Sequence, residues 1–179
     1  MIFGRFLKSK KEIWLNQCLD QNEKALVRYV YSLLKDIEAA RDIVQDSFLK
    51  LWQQDQNEIS GRETEWLFTV CRNCAYDYLR RKERKHISDS ELNTEVADSS
   101  LSAEDLIAAQ TEQGALESLI QGLNEQQKEV LHLKFEQGLS YKEISQITGM
   151  SVNHVGVFIH NTVKALKEKA QQKGRHENS

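Results

Sequence analysis

One face of a predicted helix between Glu63 and Lys85 carries basic, amide and aromatic side chains. On the other face, apolar or small residues recur in adjacent pairs one turn apart, so that face is expected to be buried. The polar face consists of Arg72, Asn73, Tyr76, Arg80 and Arg81, followed by Lys82, Arg84 and Lys85. Cationic groups bind phosphates, and amide and aromatic groups contact bases. The pattern predicts a helix lying along nucleic acid, with a solvated amphipathic helix as the alternative.

A second candidate DNA-binding element lies in the last third of the chain. Its helix starts have the spacing of two capping boxes, Asn124 with Gln127 and Ser140 with Glu143. Gly149 supplies a left-handed turn position, and Ser151 follows as the cap of a longer helix. Two helices joined by a tight glycine turn, the second longer, are typical of a helix-turn-helix. A helical bundle without a DNA role is the alternative.

The composition predicts an all-α protein. Of 179 residues none is proline and 8 are glycine, so helix breakers are scarce. In the first half the apolar periodicity predicts four helices, at about Lys11–Leu19, Glu23–Leu34, Ile37–Gln53 and Glu63–Arg84. The polar run from Gln54 to Gly61 is expected to be a loop.

Charge is unevenly distributed along the chain, although the net charge is only -3. Residues 1–86 hold 16 Lys or Arg against 13 Asp or Glu, and residues 128–179 hold 8 against 5. Residues 87–127 contain 9 acids and no Lys or Arg. An acidic strip therefore joins two mildly basic blocks, and the pI near 6.0 says little about DNA binding.

This distribution predicts two small helical domains on a tether. The expected division is an N-terminal helical domain at 1–86, a flexible acidic linker at 87–108, and a C-terminal helix-turn-helix domain with a short tail at 109–179. Residues 87–102 are polar and aperiodic, which is typical of a linker. A helix start is expected at Ser102, with acids in its first turn.

Several function classes are disfavoured. Cys18, Cys71 and Cys74 are an odd count without a secretory context, which indicates reduced thiols in a cytoplasmic protein. The N-terminal apolar stretch is too short for a signal peptide, and no run approaches a membrane span. Cys71 and Cys74 invite a redox or zinc interpretation, but they lie on the apolar helix face, so buried small residues are the default. We expect no catalytic residue, cofactor or metal.

These two blocks, in this order, resemble bacterial sigma factors of the extracytoplasmic-function class. The resemblance covers about Gln21–Lys85 and Leu116–Lys169. Residues 42–52, DIVQDSFLKLW, are similar to the family's core-polymerase-binding helix. Residues 66–81, which include WLFTVCRN and DYLRR, are similar to its minus-ten promoter-reading helix. Residues 123–130 and 138–152 are similar to its minus-thirty-five domain.

The resemblance implies roles for particular residues. The polymerase face would consist of Asp42, Gln45, Asp46, Phe48 and Trp52, with core packing as the alternative for Phe48. Family members capture a flipped base in the loop corresponding to residues 54–62. Side chains with suitable chemistry there are Asn57, Ser60 and Arg62. The polar face of the Glu63–Lys85 helix would follow the promoter strands.

In the second domain the resemblance implies DNA contacts from Tyr141, Ser151, Asn153, His154, His160, Asn161 and Lys164. Val157 also faces outward. This recognition helix departs from the family pattern because it is short of positive charge, and it contains Gly156 in its interior. Asn can bond adenine edges and apolar groups can meet thymine methyls, so sequence reading is retained. Fewer phosphate contacts predict weaker and less salt-sensitive binding by this domain.

The implied partners are RNA polymerase core, promoter DNA and an anti-sigma factor, with no small-molecule substrate. The runner-up interpretation is a stand-alone helix-turn-helix regulator, which would not need a polymerase-binding helix. A third is a small redox enzyme using Cys71 and Cys74, which lacks a second catalytic constellation.

Overall fold

The computed structural model describes residues 9–90 and 119–176, with side chains described for 9–85 and 119–172. The chain divides into two compact units, with the main division at Arg84. All regular structure within these ranges is helical, as the composition predicts. The first unit contains α1 (Lys10–Leu34), α2 (Ile37–Gln53), α3 (Gln56–Ile59) and α4 (Glu63–Ser90). The second contains α5 (Glu125–Leu131), a π-helix (His132–Glu136), α6 (Tyr141–Thr148) and α7 (Val152–His176).

Helix α1 is continuous, whereas the sequence pattern predicted two helices separated near residue 21. Asn22 lies at the predicted break and is buried. Its Nδ2 donates a hydrogen bond to the Cys18 carbonyl at 2.9 Å, and its Oδ1 accepts one from the Thr64 hydroxyl at 2.9 Å. The helix runs through this polar residue because both ends of the amide are satisfied inside the protein.

Helices α1, α2 and α4 form the core of the first unit. The rings of Tyr29 and Phe68 lie 5.2 Å apart and are tilted by 51°, which joins α1 to α4. The other buried apolar residues of these helices include Leu26, Val30, Ala40, Val44, Phe48, Leu51, Leu67, Cys71 and Ala75. The apolar stripes predicted for α1 and α2 are therefore confirmed, and their burial is the main favourable term in folding.

The segment between α2 and α4 is more ordered than the predicted loop. It contains the short helix α3, whose N-terminus is capped by Asp55, with the carboxylate accepting the Asn57 N–H at 2.9 Å. Ile59 is buried and attaches the segment to the core. Gly61 has a φ of 79°, a left-handed conformation that glycine adopts at little cost.

Helix α4 continues to Ser90, beyond the predicted end at Arg84. The predicted linker at 87–108 is wrong for its first four residues, which are helical. No glycine or proline interrupts residues 85–90, so the helical hydrogen-bond ladder can propagate through them. The rest of that linker and the helix start predicted at Ser102 lie outside the described residues.

Both predicted capping boxes are present in the second unit. Asn124 Oδ1 accepts the Gln127 N–H at 2.8 Å, and Gln127 Oε1 accepts the Asn124 N–H at 3.0 Å. Ser140 Oγ accepts the Glu143 N–H at 3.3 Å, and Glu143 Oε2 accepts the Ser140 N–H at 2.6 Å. The hydrogen bonds from Ser140 lower the pKa of the Glu143 carboxyl below its ordinary value.

Helix α5 does not end directly at a glycine. A π-helix intervenes before Gly138, which has a φ of 67°. His132, at the start of the π-helix, is buried, and its Nδ1 lies 3.1 Å from Glu136 Oε1. Its Nε2 lies 3.0 Å from Gln137 Nε2. The wider π turn thus gives a buried imidazole polar neighbours on its own segment.

Helices α6 and α7 form the predicted helix-turn-helix. Gly149 in the turn has a φ of 77°, and Ser151 Oγ accepts the His154 N–H at 3.2 Å to cap α7. Helix α7 extends from Val152 to His176, the longer of the two helices as predicted. The buried apolar residues of the unit include Leu123, Val130, Leu133, Ile144, Ile147, Val155 and Ile159.

Candidate nucleic-acid and polymerase interfaces

Helix α4 has the two faces that its sequence predicts. Leu67, Cys71 and Ala75 are buried, whereas Asn73 and Arg80 on the other side are exposed. Arg81, Lys82, Arg84 and Lys85 are exposed as well. Arg72, Arg80, Arg81 and Arg84 therefore lie along one side of a single helix, where a phosphate backbone can follow them. Lys82 and Lys85 are in line with Ala75 and Leu67, on the other side of the helix.

Two shallow concavities mark the polar face of α4. One has a volume of about 310 Å³ and is lined by Arg72, Asn73, Tyr76 and Arg80. In it the Arg72 guanidinium carbon lies 4.7 Å from the centre of the Tyr76 ring, a cation–π contact. The other has a volume of about 400 Å³ and is lined by Asp77, Arg80, Arg81 and Arg84. Both offer guanidinium groups, and the first also offers an amide and an aromatic ring.

Asp77 organises the arginines that follow it. Its carboxylate accepts a hydrogen bond from Arg80 Nη2, and its backbone carbonyl accepts one from Arg81 Nε at 3.2 Å. The carboxylate also offsets part of the positive charge of this face. Because the Arg80–Asp77 pair is solvent-exposed, it contributes little to stability and can open when a phosphate competes for the guanidinium.

The three predicted base-capture residues lie on the short segment that leads into α4. Asn57, Ser60 and Arg62 are all exposed. The Arg62 guanidinium donates a hydrogen bond to the Glu58 carbonyl at 2.9 Å, so it folds back over α3. Asn57 lies on α3, and Ser60 and Arg62 flank Gly61 in the turn that follows it.

The predicted polymerase helix exposes its acidic row. Asp42, Gln45 and Asp46 are all exposed on α2. Phe48 is only 5% exposed and belongs to the core, the alternative role that the sequence left open. Trp52 is 38% exposed, and Lys11 Nζ lies 5.1 Å from the centre of its ring.

Sequence reasoning missed a groove beside this acidic row. It lies between α1 and α2 and has a volume of about 800 Å³. Its apolar lining consists of Leu19, Val27, Val44, Phe48 and Leu49, and its polar lining of Glu23, Lys24, Arg28, Arg41 and Gln45. Leu49 is 63% exposed. A leucine on an otherwise polar helix face was the feature of the sequence that could have indicated this groove.

Helix α7 presents the predicted recognition surface. The exposed arc, as we call it, consists of Asn153, His154, Val157, His160, Asn161 and Lys164, all of them exposed. Val155, Ile159 and Thr162 are buried on the opposite side. Ser151 was also predicted to contact DNA, but its hydroxyl oxygen already accepts the bond that caps α7.

Gly156 lies outside the exposed arc and faces Tyr141. A Cβ atom at position 156 would lie 3.5 Å from Tyr141 Cε2. The Tyr141 ring is 41% exposed, and Lys134 Nζ lies 5.0 Å from its centre. The Tyr141 ring therefore packs beside Gly156 at a distance that an ordinary Cβ atom would also tolerate.

The cysteine pair differs in environment. Cys71 is buried, its thiol donates to Ser47 Oγ at 3.2 Å, and burial raises its pKa to about 12. Such a thiol is unreactive near neutral pH. Cys74 is half-buried, a departure from the expected burial, and Lys50 Nζ lies 3.1 Å from its sulfur. In the described ranges no three His, Cys, Asp or Glu side chains converge as metal ligands would.

None of the described helices is both long and apolar enough to span a membrane. Two family models match the chain: Sigma-70 region 2 over residues 18–85, and Sigma-70, region 4 over residues 113–166. The chain belongs to the sigma-70 family. The first match covers α2 and most of α4, and the second covers α6 and the first half of α7, so the candidate interfaces on these helices lie in sigma-factor regions.

The similar proteins place this sigma factor in the extracytoplasmic-function class. It is 26% identical over 160 residues to the ECF RNA polymerase sigma factor SigW of Bacillus subtilis, covering 84% of this chain and 85% of SigW. It is 25% identical over 157 residues to SigL of Mycobacterium tuberculosis, covering 87% and 88%. As a sigma factor it binds RNA polymerase core and directs promoter-specific transcription initiation.

A solved structure supports the fold. The sigma factor RpoE of Bartonella quintana, crystallised in complex with the anti-sigma factor NepR, matches with a TM-score of 0.61 at 23% identity. The match covers 86% of this chain and 94% of that one. The stand-alone regulator and the redox enzyme are set aside, because neither accounts for a sigma-70 region 2 in the first unit.

Proposed function

We propose that this sigma factor divides promoter recognition between its two units. The first unit, residues 1–86, binds polymerase core and reads and opens the minus-ten element. The second, residues 109–179, reads the minus-thirty-five element, and the residues between the end of α4 at Ser90 and residue 109 connect the two. One observation carries the proposal: within the first unit, α2 exposes an acidic row and α4 exposes a basic face.

Polymerase binding is assigned to the exposed side of α2. Asp42 and Asp46 lie one helical turn apart, with Gln45 beside them. Neither carboxylate forms an ion pair within the described part of the chain, so both remain available to a basic partner surface. Trp52 adds an exposed aromatic ring of the kind that anchors protein interfaces. Phe48 supports this surface from below.

Promoter opening is assigned to α4 and the turn that precedes it. The cations from Arg72 to Lys85 would hold the phosphates, and the Arg72–Tyr76 pair offers a flat surface to an unstacked base. Asn57, Ser60 and Arg62 would capture a base flipped out of the duplex. Because base extrusion costs a few kcal/mol, binding energy from the phosphate contacts is needed to offset it.

The minus-thirty-five element is assigned to the exposed arc of α7, with Tyr141 at its edge. Asn153 and Asn161 can each make bidentate hydrogen bonds to adenine, and Val157 can contact a thymine methyl. A helix at this position of a helix-turn-helix enters the major groove.

Three further properties belong to the proposal. An anti-sigma factor would hold the protein inactive, as the complex of the similar RpoE suggests. The protein would act in the cytoplasm, where polymerase core transcribes. It would not be an enzyme, because the polymerase itself forms the phosphodiester bonds.

The test is to mix the purified protein with core polymerase and a library of genomic promoter fragments, and to sequence the transcripts that start. Discrete start sites that vanish without the protein are expected, and their upstream sequences would reveal both promoter elements. Polymerase binding without any start site would contradict the assignment of promoter recognition. Absence of polymerase binding would contradict the assignment of α2.

A further inference from the structure

We propose that the recognition helix α7 selects an upstream element of A·T base pairs, with no guanine among the bases that it reads. The inference rests on the assignment of α7 to the minus-thirty-five element and adds the base composition of that element. Two observations carry it: the side chains at the middle of the exposed arc, and the lack of arginine in this part of the sequence.

Two amides and one small apolar group occupy the middle of the exposed arc. At about 100° per residue, the six side chains of the arc span roughly 140° of the helix circumference. Val157 lies near the centre, with Asn153 on one side and Asn161 on the other, whereas His160 and Lys164 lie at the two edges. We call Asn153, Val157 and Asn161 the central row, because they are four residues apart and lie on successive turns.

The central row has the length of a short DNA element. At 1.5 Å per residue it extends over about 12 Å of the helix axis. Successive base pairs are about 3.4 Å apart, so this length corresponds to about three or four base pairs. The row also lies in the first three turns of α7, and a recognition helix contacts base edges with its N-terminal part.

Each side chain of the central row suits one base of an A·T pair. In the major groove adenine presents an acceptor at N7 beside a donor at N6, and a side-chain amide can bond to both. Within the described residues neither the Asn153 nor the Asn161 amide is hydrogen-bonded to the protein, so both are available. Val157 is 58% exposed, and its methyl groups can contact the C5-methyl group of thymine.

The side chains that usually read guanine are missing from this surface. Guanine presents two acceptors, N7 and O6, which Arg or Lys contacts, and its partner cytosine presents a donor that Glu or Asp contacts. The sequence has no arginine between Arg84 and Arg175, and the exposed arc contains no acid. Its one lysine, Lys164, lies at the edge, with Nζ 4.0 Å from Glu168 Oε1. The middle of the arc therefore has no group that favours a G·C pair.

The test is a selection of duplexes from a random library by the full chain, followed by sequencing of the bound fraction. The basic face of α4 attracts the phosphates of every duplex, so this attraction raises the yield of bound DNA without favouring one sequence. The enriched motif is expected to be a run of A·T pairs. At each position read by an asparagine, adenine should be preferred over guanine by roughly 5- to 150-fold.

Variants of α7 then show which motif positions this helix reads. Asn161→Arg supplies a guanidinium, so one position should change from adenine to guanine while the rest of the motif is retained. Asn153→Ala should lose the preference at a different position. Asn16→Arg, at an exposed asparagine of α1, adds the same charge outside the arc and should leave the motif unchanged. All three positions are exposed, so folding should be retained, which circular dichroism can check.

A motif with guanine at the positions that change in Asn153→Ala or Asn161→Arg would overturn the proposal. An A·T motif that both variants retain in full would overturn it too, because the choice of sequence would then come from DNA shape or from the first unit. A bound fraction without any enriched motif has the same consequence. The selection contains no polymerase, so its failure is distinct from a failure to initiate transcription, which would contradict the proposed function instead.

Discussion

The polar face of α4 and the exposed arc of α7 are both helical surfaces proposed to bind DNA, but they are built from different chemistry. The α4 face is rich in permanent cations, with Arg80 held by Asp77 and Arg72 held over Tyr76. The exposed arc of α7 has amides, imidazoles and a single lysine. On the side opposite each surface lies a row of buried residues, so each helix is held against the core of its own unit.

This difference separates affinity from sequence choice. Permanent cations give strong, salt-dependent attraction to any duplex or strand. Amides and small apolar groups discriminate between base edges but add little attraction by themselves. We therefore expect the first unit to supply most of the DNA affinity and the second to supply the selection of the upstream element.

The largest effect is expected from Asp46→Arg, which tests whether the polymerase surface is separate from both DNA surfaces. A cation in the acidic row would face the basic partner and cost several kcal/mol, so polymerase affinity should fall by at least about 100-fold. Binding can be followed by anisotropy with labelled protein. DNA binding without polymerase should be unaffected. Asp20→Arg, at an exposed carboxylate of α1, is the matched control. Retained polymerase binding would remove the assignment of α2.

The next largest effect is expected from Arg80→Ala with Arg81→Ala on the α4 face. Loss of two phosphate contacts should lower promoter affinity about tenfold at moderate salt and flatten the salt slope by about 1.8. Alanine favours helix, so α4 should remain folded. Affinity measured across a salt series checks both quantities. Asp77→Asn, which removes an acid from the same face, should change affinity in the opposite direction. If the salt slope were unchanged, Arg80 and Arg81 would not contact the phosphates, and the DNA would have to bind at another surface.

A smaller effect is expected from Tyr76→Leu. The variant removes the ring under the Arg72 guanidinium, and a partly exposed cation–π contact contributes about 0.5–1 kcal/mol. Affinity for a single-stranded minus-ten fragment should fall about two- to fivefold in a fluorescence titration. Tyr76→Phe retains the ring and should bind like the parent. Equal losses in both variants would show that the hydroxyl, rather than the ring, is responsible.

The smallest effect is expected from Gly156→Ala on α7. A Cβ there would meet Tyr141 at an ordinary contact distance, and alanine is preferred over glycine inside helices by about 1 kcal/mol. Thermal unfolding should therefore show a stabilised second unit with unchanged DNA binding. Gly149→Ala makes the opposite comparison, because a φ of 77° strains any side chain, and it should destabilise. If Gly156→Ala lost DNA binding, Gly156 would have to belong to the DNA-binding surface.

Helix positions and caps were predictable from the sequence because their causes are local. The bounds of α2 were predicted correctly, and so were both capping boxes, whose hydrogen bonds join residues three apart. The buried and exposed sides of α4 and α7 followed from a 3.6-residue repeat. Two helical domains and both candidate DNA surfaces were therefore present in the linear pattern.

What only the tertiary structure decided involves residues distant in the chain. The continuity of α1 depends on Asn22 meeting Thr64, and the setting of Cys74 depends on Lys50. The groove beside the acidic row exists because α1 and α2 leave apolar side chains uncovered between them. Such contacts depend on how helices pack, and packing is a property of three-dimensional complementarity that residue spacing along one helix does not encode.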